Sequence, residues 1–286
     1  MADTVVGVIG IGDMGMPILG SYVRGGHDVV AFDLREEALA EAERRGARRA
    51  ADVEQLAKSA DYVAVVLVDD AQLKRVLLGE AGVLARMRPG SVVLVHSTAM
   101  PETVLELASA AQQLGVTLLD CPVTGGTHLA EQGRLTVIVG GPSADVENAR
   151  PVLEALGTAV HVGDLGAGQV LKLTNNLMHF GNKAFLYQAL RLAEAFGVDE
   201  SKALELWAQG TGDSWVVRNL GHLDNLLQTH TLAGTPELFE YMSKDAWTAA
   251  VVARHARVHL PLIAALAESL PAMEAYRLAQ VEARKE

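Results

Sequence analysis

Val5-Val6-Gly7-Val8-Ile9-Gly10-Ile11-Gly12-Asp13-Met14-Gly15 decides the fold of this chain. A β-branched run ends in glycines at 10, 12 and 15, the spacing of a strand that turns tightly into a helix. Gly10 permits the turn, Gly12 lets main chain approach a pyrophosphate, and Gly15 lets helix and strand pack closely; the helix N-terminus then faces the phosphates. Alone, this spacing is a weak signal. Here it follows a strand, opens a helix and precedes a second strand that ends in Asp33. A carboxylate at that point accepts from ribose hydroxyls and repels a 2′-phosphate, which favours NAD over NADP. Arg35 is either a cation able to reach a 2′-phosphate or a solvated residue in the first turn of the next helix, so NADP stays possible.

Outward from this turn, short apolar runs alternate with helical patterns. Residues 5–9, 29–32, 62–67, 92–95, 116–119 and 135–139 read as buried strands, with helical spacing between them at 36–45 and 102–114. Strand and helix in alternation imply an α/β, doubly wound parallel sheet with right-handed crossovers. Asp69-Asp70 reads as a helix cap after the third strand. Near 157–168 the texture changes. Beyond Gly168 only amphipathic helical stretches remain, at 169–196, 201–209, 214–227, 236–256 and 262–281, with Gly197 as a stop and Asp199 or Ser201 as the following cap. The expected domains are 1–163, nucleotide-binding, and 164–286, all-helical, with neither internal repeat nor low-complexity linker.

Composition narrows the partners. The 286 residues carry a net charge of −11 and a single cysteine, Cys121. The charge argues against nucleic acid, and a small anionic ligand then needs a local positive patch. One cysteine leaves no internal disulfide and fits a reducing, cytoplasmic setting. No apolar run approaches the roughly 18 residues needed to cross a bilayer, and Met-Ala-Asp-Thr opens neither a charged leader nor a secretory segment.

Three segments carry chemistry. Ser97-Thr98 follows a strand end, where hydroxyls can face a cofactor. Asp120-Cys121-Pro122-Val123-Thr124-Gly125-Gly126 sets a hydroxyl beside two glycines whose bare N–H groups can seat a carboxylate, or is a tight connection with no ligand. Gly166-Ala167-Gly168-Gln169-Val170-Leu171-Lys172 runs on to Asn176, one helical turn beyond Lys172 on the same face. A partly desolvated lysine can move the proton that accompanies a hydride.

These segments together resemble the β-hydroxyacid dehydrogenases, the family of 3-hydroxyisobutyrate dehydrogenase and tartronate semialdehyde reductase in the 6-phosphogluconate dehydrogenase superfamily. The marks are GIGDMG with Pro17, HSTAMP at 96–101, DCPVTGG at 120–126, GQVLKLTNN at 168–176 and KD at 244–245, spread over the whole chain. The resemblance implies a Rossmann domain and an all-α domain joined by a long helix, self-association into a dimer or tetramer, and hydride transfer between NAD(P) and a small 3-hydroxy acid or its semialdehyde. It implies Lys172 as general acid/base, with Asn176 as the neighbouring catalytic amide. Thr124, standing where serine is usual, Gly125 and Gly126 would anchor substrate, and Lys244 would touch both substrate and cofactor. The implied cofactor contacts are Gly10, Ile11, Gly12, Asp13, Met14 and Gly15, then Asp33, Leu34 and Arg35, and lastly Leu67 and Thr98. Lys244, if close, would lower the pKa of Lys172.

The chain departs from the family pattern in places. His96 replaces a common aspartate, Thr127-His128-Leu129 is bulkier than usual, and Arg134 stands where threonine is common. His179 and Lys183 continue the Lys172/Asn176 stripe, His179 as packing or pocket lining. Trp215 reads as core or as a substrate contact, and Cys121 as a small buried residue. His255 and His259 have helical metal-ligand spacing without a completing motif, so no metal is expected. Two other functions compete: an imine reductase or reductive aminase, and a non-catalytic NAD-binding protein. Lys172 counts against both.

Overall fold

The computed structural model describes residues 4–80, 82–229 and 238–283. The chain divides into two compact units, Met1–Lys172 and Leu173–Glu286. In the first, the β-branched runs form β1 (Val5–Ile9), β2 (Asp28–Phe32), β4 (Tyr62–Val65), β5 (Val92–Val95), β6 (Thr117–Asp120) and β8 (Leu135–Gly140). Three strands not expected join them: β3 (Arg48–Arg49), β7 (Val123–Thr124) and β9 (Gly157–Gly163). The sheet order is β3-β2-β1-β4-β5-β6-β8-β7, with β9 against β8.

From β3 to β6 every pairing is parallel, the doubly wound arrangement expected. Beyond β6 the direction reverses. β8 runs antiparallel to β6 and β7, and β9 returns parallel to β8. Only residues 125–134 separate β7 from β8, too short a link for a parallel crossover, so the parallel, doubly wound sheet ends in antiparallel pairings. β9 escaped the sequence pattern because its side chains are at best half-buried and supply no apolar run.

Helices α1 (Gly15–Arg24), α2 (Glu36–Arg44), α3 (Val53–Ser59), α4 (Asp70–Leu78), α5 (Pro101–Gln113), α6 (Gly126–Glu131) and α7 (Ser143–Glu154) connect the strands. Period-two alternation divides the core. Val6 and Val8 join a cluster with Ile18, Leu19 and Val152, whereas Val5 and Ile9 face Leu56, Leu73 and Leu107. The caps expected are present: the Asp69 carboxylate accepts the Gln72 N–H at 2.7 Å.

His96, just past β5, is buried in this unit. Its Nδ1 lies 2.7 Å from the Cys121 carbonyl and its Nε2 2.9 Å from the Tyr22 hydroxyl. A carbonyl only accepts, so Nδ1 carries the proton and Nε2 accepts from Tyr22. Burial lowers the His96 pKa to about 4. The same burial pushes the Cys121 thiol up, as fits its reading as a small interior side chain.

Helix α8 (Ala167–Ala195) runs from the first unit into the second, which adds α9 (Glu200–Gln209), α10 (Trp215–Arg218), α11 (Leu220–Thr229), α12 (Leu238–His255) and α13 (Pro261–Ala283). Asp199 caps α9 through the Ser201 and Lys202 N–H groups, after Gly197 in the left-handed region. The single helix expected at 214–227 breaks at Asn219, whose ψ of 22° leaves the helical range. Of the helix expected at 236–256, residues 236 and 237 lie outside the described residues.

The core of this unit contains charges. Leu186 and Leu190 pack on Val216 and Leu223, and Phe180 on Met242, Ala246 and Leu270. Among them Lys183 meets Glu274 at 2.7 Å, both buried, while Arg277 meets Asp224 at 2.5 Å and Glu200 at 2.7 Å. Burial lowers the lysine pKa and raises the glutamate's, and the pairing opposes both shifts. Each charge left alone inside costs several kcal/mol.

Two outcomes follow for stability. Glu274→Ala, by stranding Lys183, lowers the urea-unfolding free energy by about 3–5 kcal/mol, and Lys183→Met in the same chain restores most of it; an additive double variant would contradict the pairing. For His96, the unfolded chain accepts a proton below about 6.5 that the native chain refuses until about 4. Stability therefore falls as pH drops through this window, by up to about 3 kcal/mol, and His96→Gln removes that share. An unchanged acid limb in the variant would refute it.

Candidate active site

The glycine turn is built of main chain packed on main chain. Gly10 has φ 85°, and a Cβ there would lie 2.3 Å from the Val66 carbonyl oxygen; one at Gly15 would lie 1.9 Å from that of Gly10. α1 then starts with no side-chain cap bond and no acid in its first turn. Its positive end is left for an outside anion. This glycine cradle and open helix end fit a dinucleotide.

Asp33 holds the turn from the side. Its carboxylate accepts the Ile11 N–H at 2.9 Å and the Arg35 N–H at 3.0 Å, and the Arg35 guanidinium at 3.0 and 3.1 Å. Burial raises its pKa, but the Arg35 and main-chain hydrogen bonds outweigh burial and leave the carboxyl below its usual range. Arg35 is thus no solvated first-turn residue: it is the N-cap residue of α2, folded back on Asp33. Leu34 beside it is 92% exposed, an apolar surface beside the Asp33 carboxylate. Leu67 packs close to Gly10 and donates its N–H to Ser97 Oγ at 2.7 Å. The Ser97 hydroxyl, expected to face a cofactor, instead ties the ends of β4 and β5, while Thr98 is buried one residue further. These residues follow the carboxyl ends of β1, β2, β4 and β5, where ligands of such sheets bind.

After β6 and β7 comes the proposed anion seat. Thr124 is half-buried, and Gly125 and Gly126 take φ 127° and 72°, values that favour glycine. A Cβ on Gly126 would meet nothing within 4 Å, so space opens beside this main chain, and α6 begins there without a side-chain cap bond. Of the bulky Thr127-His128-Leu129, Leu129 tucks under Gly125 and His128 is exposed.

The residues expected to handle the proton lie along α8. Lys172 is 8% exposed and Asn176 6%, one turn apart. Asn176 Nδ2 donates to Asp245 Oδ2 at 2.7 Å, and the Lys244 ammonium lies 3.0 Å from Asp245 Oδ1, off the hydrogen-bond axis. Lys244 therefore carries its own buried counter-ion. Asp245 is the functional candidate that sequence reasoning passed over, although it stands in the KD pair. Asn176, Lys244 and Asp245 belong to the second unit; Lys172, Thr124 and the nucleotide-site residues belong to the first.

Two further expectations change. Trp215 is not core: it is 54% exposed, its ring 5.7 Å from His179 and 6.4 Å from His222. His179 is half-buried and also packs on Phe180. Lys183 leaves the Lys172/Asn176 stripe for its ion pair with Glu274. No helix of the described residues is long and apolar enough to cross a membrane.

Comparison with known proteins agrees with this geometry. Residues 5–163 match the family model of the NAD-binding domain of 6-phosphogluconate dehydrogenase, and 166–283 that of NADP-dependent 3-hydroxyisobutyrate dehydrogenase. The 3-hydroxyisobutyrate dehydrogenase of Pseudomonas aeruginosa is 34% identical, covering 98% of this chain and 95% of its own. A crystal structure of 3-hydroxyisobutyrate dehydrogenase from Salmonella typhimurium superposes with TM-score 0.84 at 29% identity, over 98% of this chain and 99% of that one. The Mycobacterium tuberculosis 3-hydroxyisobutyrate dehydrogenase solved with L-serine gives 0.82 at 25%, over 99% of this chain and 100% of that one. With the nucleotide cradle at its start and the buried lysine and asparagine on its long helix, this chain belongs to the β-hydroxyacid dehydrogenase family and is an NAD(P)-dependent oxidoreductase.

Proposed function

We propose that this enzyme oxidises a small 3-hydroxy acid resembling 3-hydroxyisobutyrate, or reduces the matching semialdehyde, with Lys172 moving the proton. The observation that carries this reading is a buried lysine in the opening turns of α8, in the same unit as the glycine cradle and the Thr124–Gly126 turn. When bound at Gly10–Gly15, Asp33, Leu34, Leu67 and Thr98, the nicotinamide cofactor supplies the hydride acceptor or donor. Thr124 and the Gly125 and Gly126 N–H groups hold the substrate carboxylate. The Lys172 amine takes the hydroxyl proton in oxidation and returns it to the same oxygen in reduction; Asn176, steadied by Asp245, orients that oxygen. 3-Hydroxyisobutyrate, named for the Pseudomonas aeruginosa relative, and L-serine, named with the Mycobacterium tuberculosis structure, each carry a hydroxyl β to a carboxylate.

Asp33 supports NAD as the preferred cofactor. A cytoplasmic setting fits the single buried cysteine. Self-association fits α8, where exposed Leu171, Met178, Phe185 and Leu192 recur every seven residues. We place the functional division at 1–163 and 164–286, nucleotide and helical parts.

Lys172→Ala lowers kcat by about 10²–10⁴-fold while the NAD dissociation constant, read by fluorescence titration, stays within about twofold. Turnover of cyclic imines with none on 3-hydroxyisobutyrate, serine, glycerate or 4-hydroxybutyrate would replace this reading with an imine reductase. Asp33→Ser frees Arg35 for a 2′-phosphate and raises the NADP-to-NAD ratio of kcat/KM by about 10–100-fold. Phe185→Glu shifts the sedimentation coefficient to that of the monomer; an unchanged coefficient places the interface elsewhere.

A further inference from the structure

The opening turn of α8 is held by two buried side chains that the reading above does not use. Asp120 is fully buried at the end of β6; its Oδ1 accepts the Gly166 N–H and its Oδ2 the Gln169 N–H, each at 2.9 Å. The fit leaves no slack. A Cβ on Gly168 would lie 2.6 Å from Asp120 Oδ2, and one on Gly140 2.3 Å from Oδ1. Gln169 is also fully buried. Its Oε1 accepts the Ala99 N–H and its Nε2 donates to the Ser97 carbonyl, both at 2.9 Å.

Those two main-chain groups flank Thr98 in a segment past the end of β5, where no strand ladder pairs them. One amide therefore does for residues 97–99 what a neighbouring strand does elsewhere. Lys172 follows Gln169 by three residues, roughly 4.5 Å along the helix axis and on the same side. Both polar atoms of the Gln169 amide are taken up by main chain.

We propose that Gln169 is a positioning residue: its amide, anchored through Asp120, sets the Lys172 amine in register with the Thr98 segment. The proposal rests on Lys172 as the proton-moving group. A hydrophobic residue could fill the same volume, but it would leave a buried N–H and a buried carbonyl unpaired and the helix free to slide along the loop. A misplacement of about 1 Å at a reacting group costs on the order of 100-fold in rate. Of the proposed cofactor contacts only Thr98 lies in this segment, and the glycine turn, Asp33, Leu34 and Leu67 lie outside it, so cofactor affinity changes far less than kcat.

The test uses the full chain with Gln169→Met, Gln169→Glu, Lys172→Ala and the double variant Gln169→Met/Lys172→Ala. Gln169→Glu keeps the size and the Ala99 bond but sets two oxygens against each other at Ser97. Each is measured for thermal midpoint, NAD affinity, kcat, KM and the deuterium isotope effect from 3-deuterated substrate. Both Gln169 variants should lose about 100-fold in kcat, keep KM and NAD affinity within about threefold, and show an increased isotope effect as hydride transfer becomes limiting. In the Lys172→Ala background, Gln169→Met should cost little more. If Gln169→Met does not fold, Gln169→Glu alone decides. A kcat within threefold of the parent, a loss matched by NAD affinity, or losses that multiply fully in the double variant would each overturn the proposal. Full activity in Lys172→Ala would instead remove the proton-transfer reading beneath it, a result separable from the Gln169 data.

Discussion

A carboxylate buried at the end of a central strand must find donors, and the start of α8 depends on where Asp120 finds them. It takes the N–H groups that the start of α8 leaves without partners, so two unsatisfied sets cancel at one point. Burial raises the Asp120 pKa while those N–H groups pull it back down. The two glycines that crowd its oxygens bring helix and strand together more closely than any side chain would allow. The long helix thus begins at a fixed place relative to β6, which gives Lys172 its starting point. It also accounts for the boundary between compact units at 172/173, inside α8, while the family models meet near 163/166: the opening turns of the helix are anchored on the sheet.

What the sequence shows of this molecule is what local pattern encodes. Val5–Gly15 reads correctly because strand, turn and helix start all lie within one short run. The six main strands, the caps Asp69 and Asp199, and the stop at Gly197 are legible for the same reason. Features that depend on distant partners are not. Gln169 reads as a good helix former, and only its bonds to residues about 70 positions earlier give it another role. Arg35 reads as solvated until Asp33 is seen to bind it. Trp215 reads as core because hydrophobicity alone cannot tell which side of a short helix faces inward. The reversal at β7 and β8 is set by loop length, and apolar periodicity does not record strand direction.

The two units reach stability differently. The sheet is packed on both faces mainly by aliphatic side chains, and His96 is buried as a neutral ring satisfied at both nitrogens. The helical unit buries full charges between α8 and α13 and between α13, α11 and α9. Aliphatic packing tolerates small shifts of one helix along another. Charge pairing does not, because a displaced partner leaves an ion in a medium of low dielectric. The helical unit therefore has one register.

That pairing has a consequence for synthesis on the ribosome. Lys183 is made early in the helical unit, but the groups that neutralise or share its surroundings, Glu274 and Arg277, belong to α13, the last helix described. A nascent chain that has emerged only as far as α12 cannot close around Lys183 without burying its ammonium short of its contact partner Glu274. The sheet, whose own residues are complete by α8, has no such wait. Synthesis therefore delivers the two halves in order: the nucleotide cradle can form while the helical half is still held open by its own unmet charge.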